Sequence, residues 1–377
     1  MKLFQRLLVA PAAIGLLSPL ASNATEVDLN EISNFSEIEN LEIVNSFDKQ
    51  NKASQLIAGG EGLVSDISSD SFSETTTASF SADMAIGSVD GDTTGEAVGA
   101  VYGFQIDLNT SFTGEDSLDI SIDAGGAQAS LDLLDLNSGD DSLAVDGISY
   151  TFPLGDKTTV FVGESVPGSS LYNTACVYGG VTKQIDDCGN SNAAMDSGSK
   201  TAAGASYDFG NGFTVALGYE GEGAAAGKGL MTKEGVDIFG GQVTYTGDNY
   251  GVSVTYSDYE GTNDTAYTAF NAYYTPDSAG SLPSISGGYE TGSVEGGTDT
   301  EQWFVGLQWD EVGAGTLGLG IATDGHQAEN ASDLYVYEAF YSYPMNDGMT
   351  ITPVVFIREA SSTVDETGVI LKTSFSF

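Results

Sequence analysis

Residues 250–256 read Tyr-Gly-Val-Ser-Val-Thr-Tyr, which puts Tyr250, Val252, Val254 and Tyr256 on one side of an extended chain and Gly251, Ser253 and Thr255 on the other. Successive side chains of a strand point to opposite faces, so this alternation predicts a strand with one oily and one wet surface. The pattern recurs in both directions. Tyr102, Phe104, Ile106 and Leu108 oppose Gln105, Asp107 and Asn109, and Leu118, Ile120 and Ile122 oppose Asp119, Ser121 and Asp123. Phe213, Val215, Leu217 and Tyr219 alternate with Thr214, Ala216 and Gly218; Trp303, Val305, Leu307 and Trp309 alternate with Phe304, Gly306, Gln308 and Asp310.

Followed through the chain, the alternation predicts about sixteen strands, near 74–86, 98–109, 117–124, 145–153, 157–165, 201–209, 212–220, 236–247, 250–259, 264–275, 283–291, 301–311, 314–324, 333–343, 348–359 and 366–377. Short connections rich in turn residues, such as Gly155-Asp156-Lys157, Gly210-Asn211, Gly247-Asp248-Asn249 and Asn346-Asp347-Gly348, alternate with longer polar ones at 87–97, 125–144, 166–200, 221–235 and 325–332. Short turns on one rim and long loops on the other describe an all-β fold: a closed antiparallel transmembrane β-barrel with both termini on the periplasmic side. Closure is what hydrocarbon demands, because an open sheet edge leaves backbone groups unpaired in lipid. Trp303, Trp309, Tyr335, Tyr343, Tyr250 and Tyr256 stand near strand ends, where interface girdles belong, although ordinary strand propensity also favours aromatics.

The first 24 residues carry Lys2 and Arg6, an apolar stretch from Leu7 to Leu20, and small residues up to Ala24, the pattern of a cleaved secretory signal. Residues 25–73 form an acidic segment in which Leu29, Ile32, Ile38 and Leu41 suggest a short amphipathic helix within 26–47; 74–377 is the barrel. Without Lys2 and Arg6, 9 basic residues face 54 acidic ones, a formal charge of −45, which excludes nucleic acid as a partner. Such acidity reads either as a solvated surface suited to a salty medium or as a negative field lining a channel. Cys176 and Cys188, the two cysteines, share one polar loop of an exported chain, the setting of a disulfide, with two free thiols as the alternative.

Enzymatic chemistry has little to work with. His326 is the sole histidine and falls in a loop, and neither HExxH nor GxSxG occurs. Gly313-Ala314-Gly315-Thr316-Leu317-Gly318 fits GxGxxG but joins two strands and opens no helix, so it reads as a hairpin. No cofactor motif is present.

Phe72-Ser73-Glu74-Thr75-Thr76-Thr77 at the first strand and Leu108-Asn109-Thr110-Ser111-Phe112-Thr113-Gly114-Glu115-Asp116 at the first short turn carry a resemblance. On these residues the chain resembles the cyanobacterial outer-membrane porins grouped with the carbohydrate-selective porin (OprB) family. It differs from longer members in lacking their N-terminal surface-layer-homology domain, and in having Asp119 and Asp123 where relatives are often rich in arginine. The resemblance implies an outer-membrane diffusion channel for small solutes, with carbohydrates or inorganic ions as cargo. It also implies that the loop over 166–200 folds inward as a constriction.

In that reading Asp186 and Asp187 supply acid to the constriction, facing Arg358 and Lys372 on the wall, and Asp107, Asp119, Asp123, Asp310 and Glu338 line the lumen. Carboxylates on a lipid face are costly, so their phase puts them inside, and a negative lumen predicts weak cation preference. The partners expected are outer-membrane lipid, small solutes, further copies of the chain, and the barrel-insertion machinery that reads a C-terminal strand ending in Phe377. The competing reading is a plugged acidic barrel serving as a structural or binding protein of the envelope.

Overall fold

Strong alternation with no long apolar run leaves the chain one way to bury its backbone in lipid, by pairing every strand on both sides. The computed structural model describes residues 76–377 apart from 92–96, 127–128, 135, 137–140, 184, 186–187, 189–194, 196–199, 223–228, 233–234, 262 and 278–281, and apart from the side chains of 129 and 130. The expected signal at 1–24 and the helix within 26–47 lie outside the described residues.

The strands are β1 (Thr76–Asp90), β2 (Gly99–Thr110), β3 (Ser117–Gly126), β4 (Ala144–Pro153), β5 (Thr158–Glu164), β6 (Thr201–Gly210), β7 (Phe213–Gly221), β8 (Asp237–Thr246) and β9 (Tyr250–Glu260). They continue as β10 (Thr265–Tyr274), β11 (Ser284–Val294), β12 (Thr300–Val312), β13 (Gly315–Thr323), β14 (Gln327–Ala328), β15 (Tyr335–Asn346), β16 (Met349–Ser361) and β17 (Val364–Ser376). Sixteen are long and build the wall. The two-residue β14 adds to the loop end of β12, and β15 pairs directly with β13. Each long strand pairs antiparallel with its sequence neighbours, and β1 pairs with both β2 and β17, so the sheet closes.

The seam is sealed by the last residue. Phe80 N donates to the Phe377 carbonyl at 2.9 Å, Phe377 N donates back to Phe80 at 3.0 Å, and the two rings stack with centroids 5.8 Å apart.

Burial is inverted relative to a water-soluble barrel. In β9, Val252, Val254 and Tyr256 are about half exposed while Ser253, Thr255 and Ser257 are each 2% exposed. The apolar side chains therefore face outward and the hydroxyls inward, as lipid outside requires. Trp303 and Trp309 mark two levels of one strand separated by roughly 20 Å at ~3.3 Å per residue. Tyr335 and Tyr337 accompany the first level and Tyr341 and Tyr343 the second, as two girdles.

Rim asymmetry holds only in part. On one rim the connections 91–98, 127–143, 165–200 and 222–236 are long, but those at 261–264, 295–299 and 362–363 are short. The opposite rim carries hairpins such as 211–212, with one longer link at 275–283. At the tightest of these, Gly210, Asn211 and Gly212 all have positive φ, and a side chain on Gly212 would meet the Thr246 carbonyl. The turn at 111–116 is held differently. Asp116 accepts hydrogen bonds from the Tyr150 hydroxyl (2.6 Å), Ser111 Oγ (2.8 Å), Phe112 N (2.9 Å), Thr113 N (2.7 Å) and Thr113 Oγ1 (2.8 Å). The Tyr150 hydroxyl first, and then the donors of Thr113 and Ser111, hold its carboxyl well below the usual carboxylate range.

Candidate functional site

The described part of the connection from β5 to β6 lies inside the barrel, and its backbone explains why. Extended segments need hydrogen-bond partners, and here alternate amides find them on the inner wall. Asn173 N donates to Gln242 of β8 (2.7 Å), Ala175 N to Ser253 of β9 (3.3 Å), Val177 N to Ser286 of β11 (3.0 Å) and Gly179 N to Gln308 of β12 (2.9 Å). The loop thus crosses the wall strand by strand.

It ends its traverse on Glu338 of β15. That carboxylate is 4% exposed and accepts from the Tyr178 hydroxyl (2.9 Å), Val181 N (3.1 Å), Thr182 N (2.9 Å) and Thr182 Oγ1 (2.7 Å). Glu338 lies on the inner face of β15, and the loop covers it there.

Glycines on the wall provide flat seats for the same loop. A Cβ on Gly320 of β13 would stand 2.7 Å from Tyr178 Oη, and one on Gly306 of β12 would meet the Tyr178 ring. Under the loop's other limb, a Cβ on Gly240 would stand 2.7 Å from Tyr172 Oη and 2.9 Å from Met195 Sδ. Other buried wall acids are used in the same way as Glu338. Glu220 accepts from Gly168 N (2.6 Å), Asp237 from Met231 N (3.0 Å) and from the Tyr219 hydroxyl, and Glu290 lies 2.6 Å from His326 Nε2. His326 is therefore a loop residue, as the sequence suggests, but one that reaches inward to the wall.

A second connection joins the first. Leu131, Leu133, Leu134 and Leu136, between β3 and β4, pack with Tyr178, Ile185 and Cys188 against Val336, Phe340, Val354, Phe356 and Ile370 of the wall. Lys183 ties the two loops, its N–H donating to the Leu133 carbonyl (2.9 Å) and its Nζ lying 2.6 Å from Asp132. Cys176 and Cys188 form a disulfide with Cα atoms 6.2 Å apart, which encloses all three loop residues that bind Glu338.

Reduction of that disulfide is expected to leave the β-rich circular dichroism spectrum unchanged. It should increase current noise in bilayer recordings, because the cross-link around the residues that bind Glu338 is lost; in the chain-entropy model that cross-link restricts the unfolded chain by about 3 kcal/mol. Unchanged current after mass spectrometry confirms two thiols would count against the loop's control of the lumen.

The other sequence-picked residues distribute as follows. Asp186 and Asp187 lie outside the described residues. Arg358 and Lys372 both face inward but are not brought together: Arg358 pairs with Asp324 (2.9 Å) and Glu366 (3.6 Å) toward the loop rim, Lys372 with Asp83 (3.1 Å) nearer the turn rim. The donors that reach Asp107 are Gln105 (2.7 Å) and Ser121 (2.8 Å); those that reach Asp119 are Asn109 (2.6 Å) and Ser117 (2.8 Å). Asp310 accepts from Gln308 (2.6 Å), and Asp123 lies one strand from Asp107 on the same face. Asp146 of β4, absent from the expected set, joins this wall.

No protein-family model and no curated protein matches the chain. Among solved structures it is similar to the high-pH structure of Pseudomonas putida OprB, with TM-score 0.62 and 11% identity over 80% of this chain and 94% of that one. It is also similar to an anion-selective porin from Comamonas acidovorans (TM-score 0.57, 14% identity, 80% of this chain and 99% of that one). A mutant porin of Rh. blastica gives TM-score 0.51 at 14% identity, over 80% of this chain and all of that one. At such identities the likeness is one of fold, a porin-like barrel.

Proposed function

We propose that the chain is an outer-membrane diffusion channel for small hydrophilic solutes and ions, exported by residues 1–24, with its termini periplasmic and weak cation preference. The observation that carries this reading is the pairing of an oily outer face with a wall of carboxylates on the lumen side whose hydrogen-bond donors are neutral. Asp107 and Asp119 keep their charge uncompensated by those donors, whereas Arg358 and Lys372 each sit against carboxylates. A solute crossing such a lumen meets net negative potential, which concentrates cations. The loop over 166–200 is the constriction in this reading, with Asp186 and Asp187 contributing acid to it. The carbohydrate cargo implied by the family resemblance is a narrower reading that solute-swelling assays address.

The test is a reversal potential across a KCl gradient. Cation selectivity is expected at ~0.1 M salt, where the screening length is ~10 Å, and should fade toward ~1 M, where it is about 3 Å. Changing Asp119 and Asp123 to Asn should reduce it. A potential favouring chloride in the unaltered protein would overturn the reading.

A second reading has its own support. The leucines of the β3–β4 connection and the β5–β6 loop build an apolar core inside the barrel, which favours a plugged envelope protein. The absence of conductance would decide for it.

A further inference from the structure

Below the two inward loops, on the side of the turn rim, the lumen widens into a chamber of about 550 Å³. Its walls are the inner faces of β15, β16, β17, β1 and β2, and its ceiling is the backbone of Gly179–Val181 with Leu134 and Leu136. Ser81, Gln105, Thr350 and Ser374 give it a mostly neutral polar lining. Two charges stand in it, Asp83 and Lys372. They are on neighbouring strands, diagonal in register since Asp83 faces Ser374, and their side chains remain 32% and 23% exposed with 3.1 Å between Oδ2 and Nζ.

The chemistry of this chamber differs from that of the rest of the lumen. Along β2 and β3 the wall offers carboxylates held by neutral donors, a field that draws cations without orienting them. Arg358 is engaged by two carboxylates away from the chamber, Lys372 is the one basic side chain lining it among the described residues, and an acid accompanies it. A free anion would meet Lys372 but is repelled by a chain of net charge −43. A free cation would gain at Asp83 but leave Lys372 facing like charge. A molecule carrying both charges a few ångströms apart, with no net charge to be repelled, can part the partly exposed pair and replace its single contact by two, one to each charge.

We propose that this chamber is a binding station for small zwitterions of the α-amino-acid type, with Asp83 receiving the ammonium, Lys372 the carboxylate, and the hydroxyl and amide lining the polar side chain. The proposal deepens the diffusion-channel reading by naming a solute class. Its test is a binding measurement, so a barrel that fails to conduct does not decide it.

The experiment is saturation-transfer NMR with L-serine on the detergent-solubilised full chain, alongside lactate, ethanolamine and erythritol. Saturable transfer to serine should exceed that to lactate and to ethanolamine, which carry one charge each, and to the neutral polyol. Lys372→Gln and Asp83→Asn should each weaken serine binding roughly three- to fivefold, the scale of a partly exposed ion contact. The double exchange Asp83→Lys with Lys372→Asp should restore it, since the zwitterion can bind reversed. Equal transfer to erythritol and serine would overturn the proposal in favour of a polyol site, and stronger transfer to ethanolamine would reduce the chamber to a cation well. Serine binding unaltered in Lys372→Gln would overturn it also. Should a variant fail to fold, the ranking of the four solutes on the unaltered protein still decides.

Discussion

Arginine in place of Val254 is expected to destabilise the folded barrel by about 2–4 kcal/mol, the cost of a guanidinium on the lipid face near mid-membrane. Val254 is 45% exposed in the middle of β9, between Ser253 and Thr255, which are each 2% exposed. In a water-soluble barrel an exposed valine on a strand tolerates arginine within about 0.5 kcal/mol. The comparison is Ser374→Lys, on the chamber side of β17, where the new charge meets water and the cost should stay below about 1 kcal/mol. Urea unfolding from lipid vesicles measures both. Equal costs at the two sites would contradict the inverted barrel.

Removal of the Glu338 carboxylate should produce the largest change in conduction. In Glu338→Ala the Tyr178 hydroxyl, the Val181 and Thr182 amides and the Thr182 hydroxyl lose one shared acceptor. A hydrogen bond contributes about 0.5–1.5 kcal/mol net, and a buried donor left without its acceptor costs about 1–3 kcal/mol. Water in the lumen replaces part of this, leaving a net loss of about 2–3 kcal/mol and a shift of roughly 30- to 160-fold toward the detached loop. Recordings should show higher mean conductance with frequent transitions between levels, while β-rich circular dichroism is retained. Conductance identical to that of the unaltered protein would mean that the loop does not limit flow.

Much of the barrel is written in the period-two alternation, which locates the sixteen long strands to within a few residues and assigns their faces. Phase tells which way a side chain points, however, and not what lies over it. Glu338 therefore reads in sequence as a free lumen acid, and in the structure it is an anchor for the loop. One signal of that covering was available. Val354-Val355-Phe356-Ile357 in β16 and Val369-Ile370-Leu371 in β17 break the alternation and are apolar on both faces, as strands covered on both sides are. The wall glycines under Tyr178 and Met195 have no local sequence signature, because their partners lie more than a hundred residues away for Gly306 and Gly320 and more than forty for Gly240 from Met195. Rim asymmetry was readable in the first half of the chain and again at 324–334, but not throughout, since the loop-rim links at 261–264, 295–299 and 362–363 are as short as hairpins.

Most directly, the channel account rests on what a planar bilayer shows when the purified, unreduced protein is added at ~0.1 M KCl. Discrete ohmic steps with a reversal potential on the potassium side are expected, because the carboxylates of β2 and β3 share the lumen face. Insertion confirmed by protease protection in a bilayer that stays silent would contradict it, and would identify the leucine-rich core inside the barrel as a plug.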